Sequence, residues 1–145
     1  MAPLRLLAAE VYETLRAEGI ETNLFTGQER RESEYATHTA ATVEMANTHI
    51  EEYDVAIIDE IQMINDSSRG AAWTRALLGL RCKEIHVCGG LEAQDIVERI
   101  VKSCRDDLQV NTYDRFRPLH VSHESLSQKP NEPKCYTKVS ALSAQ

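Results

Sequence analysis

An apolar run that leads directly into two acidic residues stands near the middle of the sequence. Residues 55–58 are apolar and mostly β-branched, and Asp59 and Glu60 follow them at once. A run of this kind is typical of a strand buried on both faces inside a parallel sheet. Ligands of open α/β sheets bind beyond the carboxyl ends of the strands. The sequence therefore predicts a buried strand whose two carboxylates lie at a ligand-binding edge.

Helical and strand-like segments alternate along the rest of the chain. Strands are predicted at residues 23–25, 38–41, 84–88 and 108–113. Three helices are predicted from apolar residues at helical spacing. Their apolar faces are Leu4, Leu7, Val11 and Leu15 in the first, Ala72, Trp73, Ala76, Leu77 and Leu80 in the second, and Ile96, Val97, Ile100 and Val101 in the third. Short connections between alternating elements are typical of a three-layer α/β fold with a parallel sheet. Residues 120–145 are rich in Ser, Lys and Pro without a sustained period, which predicts a disordered tail.

Charge and cysteine content exclude several classes of protein. The net charge is -7, from 16 basic and 23 acidic residues, so the chain cannot hold nucleic acid mainly through its overall charge. Cysteines 82, 88, 104 and 135 form no C-x-x-C pair, which favours reduced thiols over a zinc site. No apolar stretch approaches the ~20 residues of a membrane span, so we expect no membrane partner.

The acidic pair has the chemistry of a metal-nucleotide site. In enzymes that transfer phosphoryl groups, an Asp at a strand end holds Mg²⁺, and a neighbouring acid polarises the attacking water. Asp59 then becomes the metal partner and Glu60 the general base, while Gln62 is placed to link the site to a neighbouring lobe. A strand followed by a solvated turn is the alternative interpretation of the same residues.

Other residues have structural interpretations on the sequence alone. The single tryptophan, Trp73, is predicted to be a core residue rather than a stacking platform. His86, inside an apolar strand, is predicted to be a satisfied core histidine. Residues 28–35, with five charges, are predicted to form a surface loop. Arg69 is open to two interpretations, as a residue that orients the acidic pair or as a surface helix residue.

Several segments together resemble one family of enzymes. Residues 59–64 (DEIQMI) followed by residues 69–80 (RGAAWTRALLGL) resemble the mitochondrial ATP-dependent RNA helicases of the Suv type, within superfamily 2. Further resemblances, in the same order along the chain, are residues 3–11 (PLRLLAAEV), 26–30 (TGQER), 42–45 (TVEM), 84–89 (EIHVCG) and 113–119 (YDRFRPL). The likeness extends over residues 2 to 119, and the block around Trp73 makes it specific within the superfamily.

The resemblance implies a fold, two cofactors and a set of contacts. The fold is a RecA-like lobe of the P-loop NTPase type, spanning residues 1–119, with ATP and Mg²⁺ at Asp59 and Glu60. The family's RNA-contact segments correspond to residues Pro3, Leu4 and Arg5, to Thr26 and Gly27, and to Thr42 and Glu44. Cys88 and Gly89 stand where the family couples hydrolysis to strand separation. Such RNA contacts go chiefly to phosphate and sugar, so they do not select a sequence. The resemblance further implies mitochondrial RNA turnover and an exoribonuclease partner in a degradosome.

One departure from the family limits what this chain can do. The phosphate-binding loop, G-x-x-x-x-G-K-[ST], is absent because no Gly-Lys pair occurs in the chain. That loop supplies a backbone N–H cradle and a lysine for the phosphates. We therefore expect a lobe that is incomplete, lacking its first strand and phosphate loop, as part of a catalytic core. The alternative is a non-catalytic lobe that binds RNA weakly or docks onto a partner.

Overall fold

A computed structural model describes residues 1–49 and 52–113 of the chain. The helices are α1 (Arg5–Ala17), α2 (Gly70–Gly79) and α3 (Gln94–Cys104), and the strands are β1 (Thr22–Phe25), β2 (Arg30–Arg31), β3 (His38–Ala41), β4 (Glu52–Ile58) and β5 (Arg81–Val87). Single 3₁₀ turns occupy Val43–Met45, Ile61–Asn65 and Leu91–Ala93. All of these elements lie in the compact unit Met1–Gln109. Of the second unit, Val110–Gln145, residues 110–113 are described and form no helix or strand.

The strands form two small sheets rather than the single parallel sheet that the sequence predicts. β1 pairs with β3 in parallel and with the two-residue β2 in antiparallel fashion, while β4 pairs with β5 in parallel. The first two residues connect the sheets: the Ala2 amide donates to the Ala41 carbonyl at 2.9 Å, and the Asp59 amide donates to the Met1 carbonyl at 3.0 Å. The α/β class is therefore confirmed, whereas a continuous three-layer parallel sheet is not observed in the described residues.

The main hydrophobic core lies between β4 and the two helices that follow it. Trp73 and Ala76 of α2 and Val97 of α3 pack with Ala56 and Ile58 of β4. Trp73 is 0% exposed and Val97 5% exposed, which confirms the predicted apolar faces of both helices. A smaller core cluster joins α1 to the other sheet through Ala2, Ala8, Leu24 and Ala40. The core positions thus follow the 3.6-residue period in α2 and α3.

Three predictions about burial are wrong. Val55 and Ile57 are 51% and 54% exposed, because the described part of the chain places no helix against that face of β4. The neighbouring strand shows the same face to solvent: His86, which pairs with Ile57, is exposed and lies 3.0 Å from the Glu84 carboxylate rather than in the core.

In α1 the buried residue is Ala8, whereas the predicted core face of Leu4, Leu7 and Val11 is exposed.

The remaining predictions about local structure have mixed outcomes. Residues 28–35 are exposed for the most part, as predicted, but they include the short strand β2. The strand predicted at residues 108–113 is absent, and no regular structure is formed there. The predicted tail, residues 120–145, and the family-like residues 114–119 lie outside the described residues. Within the described ranges, no helix is long and apolar enough to cross a bilayer.

Candidate functional site

The acidic pair lies at the carboxyl end of β4, as the sequence predicts. The backbone N–H of Glu60 donates to Asp59 Oδ1 at 2.9 Å. Glu60 has φ 53° and ψ 49°, in the left-handed region that residues other than Gly seldom adopt. Strained backbone of this kind costs energy and concentrates at functional sites. The turn leaves the Glu60 side chain exposed at the end of the strand, while Asp59 is partly buried.

Gln62 ties the acidic pair to the end of the neighbouring strand. Its amide nitrogen donates to Glu60 Oε2, and its amide oxygen accepts the Gly90 backbone N–H at 3.0 Å. The backbone adds a second tie, since the Ile61 N–H donates to the Cys88 carbonyl at 2.9 Å. The structure therefore brings Gln62, Cys88 and Gly89 to the acidic pair. Both of these side-chain contacts of Gln62 are with residues of this lobe, and the link to a neighbouring lobe stays a prediction.

The Cys88 thiol is partly buried beside the acidic pair. Burial, and after it the negative charge of Asp59, raise the pKa of the Cys88 thiol, and the nearby amino terminus opposes them weakly. The reactive form of cysteine is the thiolate, which a raised pKa makes scarce at neutral pH. The neutral thiol therefore predominates at Cys88.

Gly89 has no room for a side chain. A Cβ atom there would overlap the Gln62 side-chain oxygen and lie 2.8 Å from the backbone nitrogen of Ile61. Its φ of +157° also lies where side-chain-bearing residues are rare. The close approach of Gly89 to Gln62 therefore requires glycine at this position of the predicted coupling segment.

Replacement of Gly89 by alanine is expected to destabilise the fold and disturb the acidic pair. The added methyl must displace Gln62 or shift the 3₁₀ turn, and overpacking of this kind costs about 1–3 kcal/mol. The measurement is urea unfolding followed by the emission of Trp73. Gly27→Ala is the matched control, because a Cβ at Gly27 meets nothing within 4 Å. Equal unfolding midpoints for the two variants would show that a Cβ atom at position 89 fits beside Gln62 without displacing it.

The donor set at the acidic pair fits part of a magnesium site. Carboxylate oxygens are the ligands that Mg²⁺ prefers, and the ion keeps several waters when nucleotide phosphates complete its shell. Among residues 1–49 and 52–113, no group of three or more His, Cys, Asp or Glu residues could hold a metal ion by itself. The Asp59 carboxylate therefore suits a Mg²⁺ ion whose remaining ligands are water and phosphate oxygens.

The predicted RNA-contact segments converge at the carboxyl ends of β1 and β3. The Thr42 N–H donates to the Phe25 carbonyl at 3.0 Å, and Thr42 forms a parallel bridge with Ala2. The Arg5 guanidinium donates to the side-chain oxygen of Gln28, next to Gly27. Three segments that are distant in sequence thus lie side by side. The Arg5–Gln28 contact could not be found from the sequence, because no local pattern relates residues so far apart.

Burial divides the predicted contact residues into two groups. Pro3, Thr26 and Thr42 are buried, so their side chains offer no surface to a ligand. The Thr26 hydroxyl instead accepts the Glu29 N–H at 3.0 Å and shapes the turn. Exposed members of the set are Leu4, Arg5, Gly27 and Glu44. Direct side-chain contact with RNA is therefore open only to this second group.

Two arginines hold Glu44, one at its carboxylate and one at its backbone carbonyl. Arg69 donates to the Glu44 carboxylate at 2.6 Å and 3.0 Å, and Arg75 donates to the Glu44 backbone carbonyl at 2.6 Å. Partial burial raises the pKa of the Glu44 carboxyl, but the hydrogen bond and charge of Arg69, together with hydrogen bonds from the Glu44 N–H and from Thr42, outweigh it and the net pKa is lowered. Glu44 therefore carries its charge at neutral pH as part of an ion pair. A cavity of about 330 Å³ beside it is also lined by Phe25 and Arg30.

Comparison with known proteins identifies the relatives of this chain. The rice (Oryza sativa subsp. japonica) protein named ATP-dependent RNA helicase SUV3L, mitochondrial, is 49% identical over 125 residues, which are 86% of this chain and 17% of the relative. The Arabidopsis thaliana protein named DExH-box ATP-dependent RNA helicase DExH16, mitochondrial, is 50% identical over 117 residues, 81% of this chain and 20% of the relative. The Homo sapiens protein named ATP-dependent RNA helicase SUPV3L1, mitochondrial, is 42% identical over 133 residues, 89% of this chain and 17% of the relative.

The family model described as the DEXQ-box helicase domain of Suv3 matches residues 1–113. The match includes the acidic pair, Gln62 and the three converging segments, so the class is that of the DEXQ-box helicase domains. Within that class, the chain belongs to the Suv3 family. The chain spans between about a sixth and a fifth of the length of these relatives, at 17% and 20%.

Proposed function

We propose that this chain is part of the first RecA-like lobe of an ATP-dependent RNA helicase that acts in mitochondrial RNA turnover. The observation that carries the proposal is the arrangement at the strand ends, where Gln62 fixes the acidic pair beside β5 while three further segments converge at β1 and β3. Residues 1–119 would form the lobe and residues 120–145 a tail. The mitochondrial assignment is supported by the names of the relatives.

The acidic pair divides the chemistry of ATP hydrolysis between two carboxylates. Asp59, partly buried and hydrogen-bonded to the Glu60 N–H, would hold Mg²⁺ through its water shell. The ion supplies positive charge that neutralises the phosphates. Glu60, exposed and oriented by the Gln62 amide, would accept a proton from the attacking water. Cys88, whose carbonyl accepts the Ile61 N–H, and Gly89, which packs against Gln62, would couple hydrolysis to strand separation.

RNA would cross the carboxyl ends of β1 and β3 through backbone contacts. Arg5 is the exposed cation of this surface, and Leu4 and Gly27 leave the neighbouring backbone accessible. Contacts of this kind position RNA without reading its sequence. Pro3, Thr26 and Thr42 would shape the surface from below, and Glu44 would border it. An exoribonuclease that degrades the unwound strand is the protein partner that we propose, on the strength of the family.

Weak, salt-sensitive RNA binding is the expected result for the 145-residue chain. A labelled oligouridylate should bind at low salt and release as salt rises, because counterions displaced from RNA return as ionic strength increases. The measurement is fluorescence anisotropy at several salt concentrations. The Arg5→Gln variant should bind more weakly and lower the slope of log affinity against log salt by about 1.

Arg99→Gln provides the control for the loss of one positive charge. Arg99 is exposed on α3, outside the three converging segments, and contacts the Asp95 carbonyl at 3.2 Å. Its replacement should leave the affinity and the salt slope close to those of the unaltered chain. Absence of binding at low salt, or an equal effect of the two replacements, would contradict the proposed RNA surface.

A further inference from the structure

Arg69, at the start of α2, joins two of the converging segments. Its Nη2 atom donates to the Pro3 carbonyl at 2.6 Å and to Glu44 Oε1 at 2.6 Å, and its Nε atom donates to the same oxygen at 3.0 Å. Pro3 and Glu44 belong to different segments of the proposed RNA surface. One guanidinium therefore fixes the distance between the two segments.

The same guanidinium also contacts the core beneath the acidic pair. Its central carbon lies 5.2 Å from the centre of the Trp73 ring, within the range of cation–π attraction. The Trp73 indole N–H in turn donates to the Asp59 carbonyl at 3.0 Å. An unbroken series of contacts thus leads from Pro3 and Glu44 through Arg69 and Trp73 to Asp59.

Local structure holds Arg69 in this position. The Asp66 carboxylate accepts the backbone N–H groups of Ser68 and Arg69, each at 2.8 Å, and so orders the turn that precedes α2. The planar guanidinium can donate to two acceptors at once while it stacks on an aromatic face, which a lysine ammonium cannot do. Charge balance is local, since the negative charge of Glu44 offsets that of Arg69.

We propose that Arg69 is a positioning residue that couples the RNA surface to the acidic pair. The inference rests on the proposed function, because it requires RNA to bind near Pro3 and Glu44. A phosphate that approaches Glu44 competes with its carboxylate for Arg69 and displaces the guanidinium over the indole. The displacement alters the hydrogen bond that holds the Asp59 carbonyl. Coupling of this kind is carried by packed side chains and hydrogen bonds that have two arrangements.

Trp73 supplies a direct readout of this coupling. It is the only tryptophan in the sequence and is 0% exposed, so RNA cannot touch it. Titration with oligouridylate at low salt should change the Trp73 emission, with the same midpoint as the anisotropy of the labelled RNA. In Arg69→Gln, the emission change at saturating RNA should be lost, although RNA still binds. A purely structural role for Arg69 would lower the unfolding temperature but leave that emission change intact.

Two further variants complete the experiment. Arg81→Gln is the matched control, because Arg81 forms an exposed ion pair with Glu52 at the opposite end of β5, and it should keep the full emission change. Glu44→Gln weakens the ion pair from its exposed side and should diminish the change even if Arg69→Gln fails to fold. The inference is overturned if Arg69→Gln keeps the full change in Trp73 emission. If Arg69→Gln is unfolded, the same result in Glu44→Gln overturns it. Either result leaves the proposed function standing. Failure of the unaltered chain to bind RNA overturns both.

Discussion

Replacement of Trp73 by alanine is expected to unfold the chain at ordinary temperature. The indole is fully buried among Ile58, Ala76 and Val97, and its N–H satisfies the Asp59 carbonyl. Truncation of a buried Trp to Ala costs about 3–5 kcal/mol, which is comparable with the total stability of about 5–15 kcal/mol for a small domain. The variant also loses its emission reporter, so far-ultraviolet circular dichroism during thermal unfolding is the appropriate measurement.

Leu78→Ala is the control for that experiment. Leu78 lies on the same helix and is 54% exposed, so its truncation removes little packing and leaves no cavity. Its unfolding midpoint should lie close to that of the unaltered chain. Trp73→Phe should fall between the two, because an aromatic ring remains while the hydrogen bond to Asp59 is lost at a cost of about 1 kcal/mol. Similar midpoints for Trp73→Ala and Leu78→Ala would refute the assignment of Trp73 as the centre of the core.

The helical period predicted the buried faces of α2 and α3. In α2 and α3 the positions with 3.6-residue spacing, such as Trp73 and Val97, are the buried ones. The same reasoning failed for α1, where small Ala8 packs against the sheet while Leu4 and Leu7 are exposed. Size and hydrophobicity identify a residue that gains by burial, but only the neighbouring element decides which face is covered.

Strand predictions failed for a related physical reason. A continuous apolar run is typical of a strand covered on both faces, and residues 55–58 have that composition. In the structure, Ala56 and Ile58 meet α2 and α3, whereas Val55 and Ile57 share the exposed face with Glu84 and His86. The composition of a strand shows which side chains would gain by burial, but it does not show whether another element packs against each face.

The candidate site was predictable to the extent that it is local in sequence. Asp59 and Glu60 lie at the strand end because a run of apolar residues stops there, and Gln62 follows within one turn. Arg69 could not be assigned in this way, since its acceptors Glu44 and Pro3 are 25 and 66 residues away. Only the folded chain shows that a residue at the start of α2 faces the converging segments.

Negligible ATP hydrolysis is the second large effect expected of the 145-residue chain. The acidic pair can meet a metal and a water, but the chain contains no Gly-Lys pair to hold the phosphates. Catalysis of phosphoryl transfer depends almost entirely on positioning and on charge stabilisation, and a missing charged group can cost about 10³-fold or more in rate. The measurement is phosphate release with Mg²⁺ and ATP, in the presence and absence of oligouridylate.

The Glu60→Gln variant tests whether any phosphate release depends on the general base. If the chain lacks the groups that hold the phosphates, the water next to Glu60 has no positioned phosphate to attack, so the unaltered chain and Glu60→Gln should release phosphate at the same background rate. RNA binding measured on the same preparation shows that the protein is folded and that its RNA surface is intact. RNA-stimulated hydrolysis that Glu60→Gln abolishes would mean that Asp59 and Glu60 work without a phosphate loop. In that case the chain would be a catalyst in its own right, because other residues of this chain would have to hold the phosphates where the water activated by Glu60 can attack them.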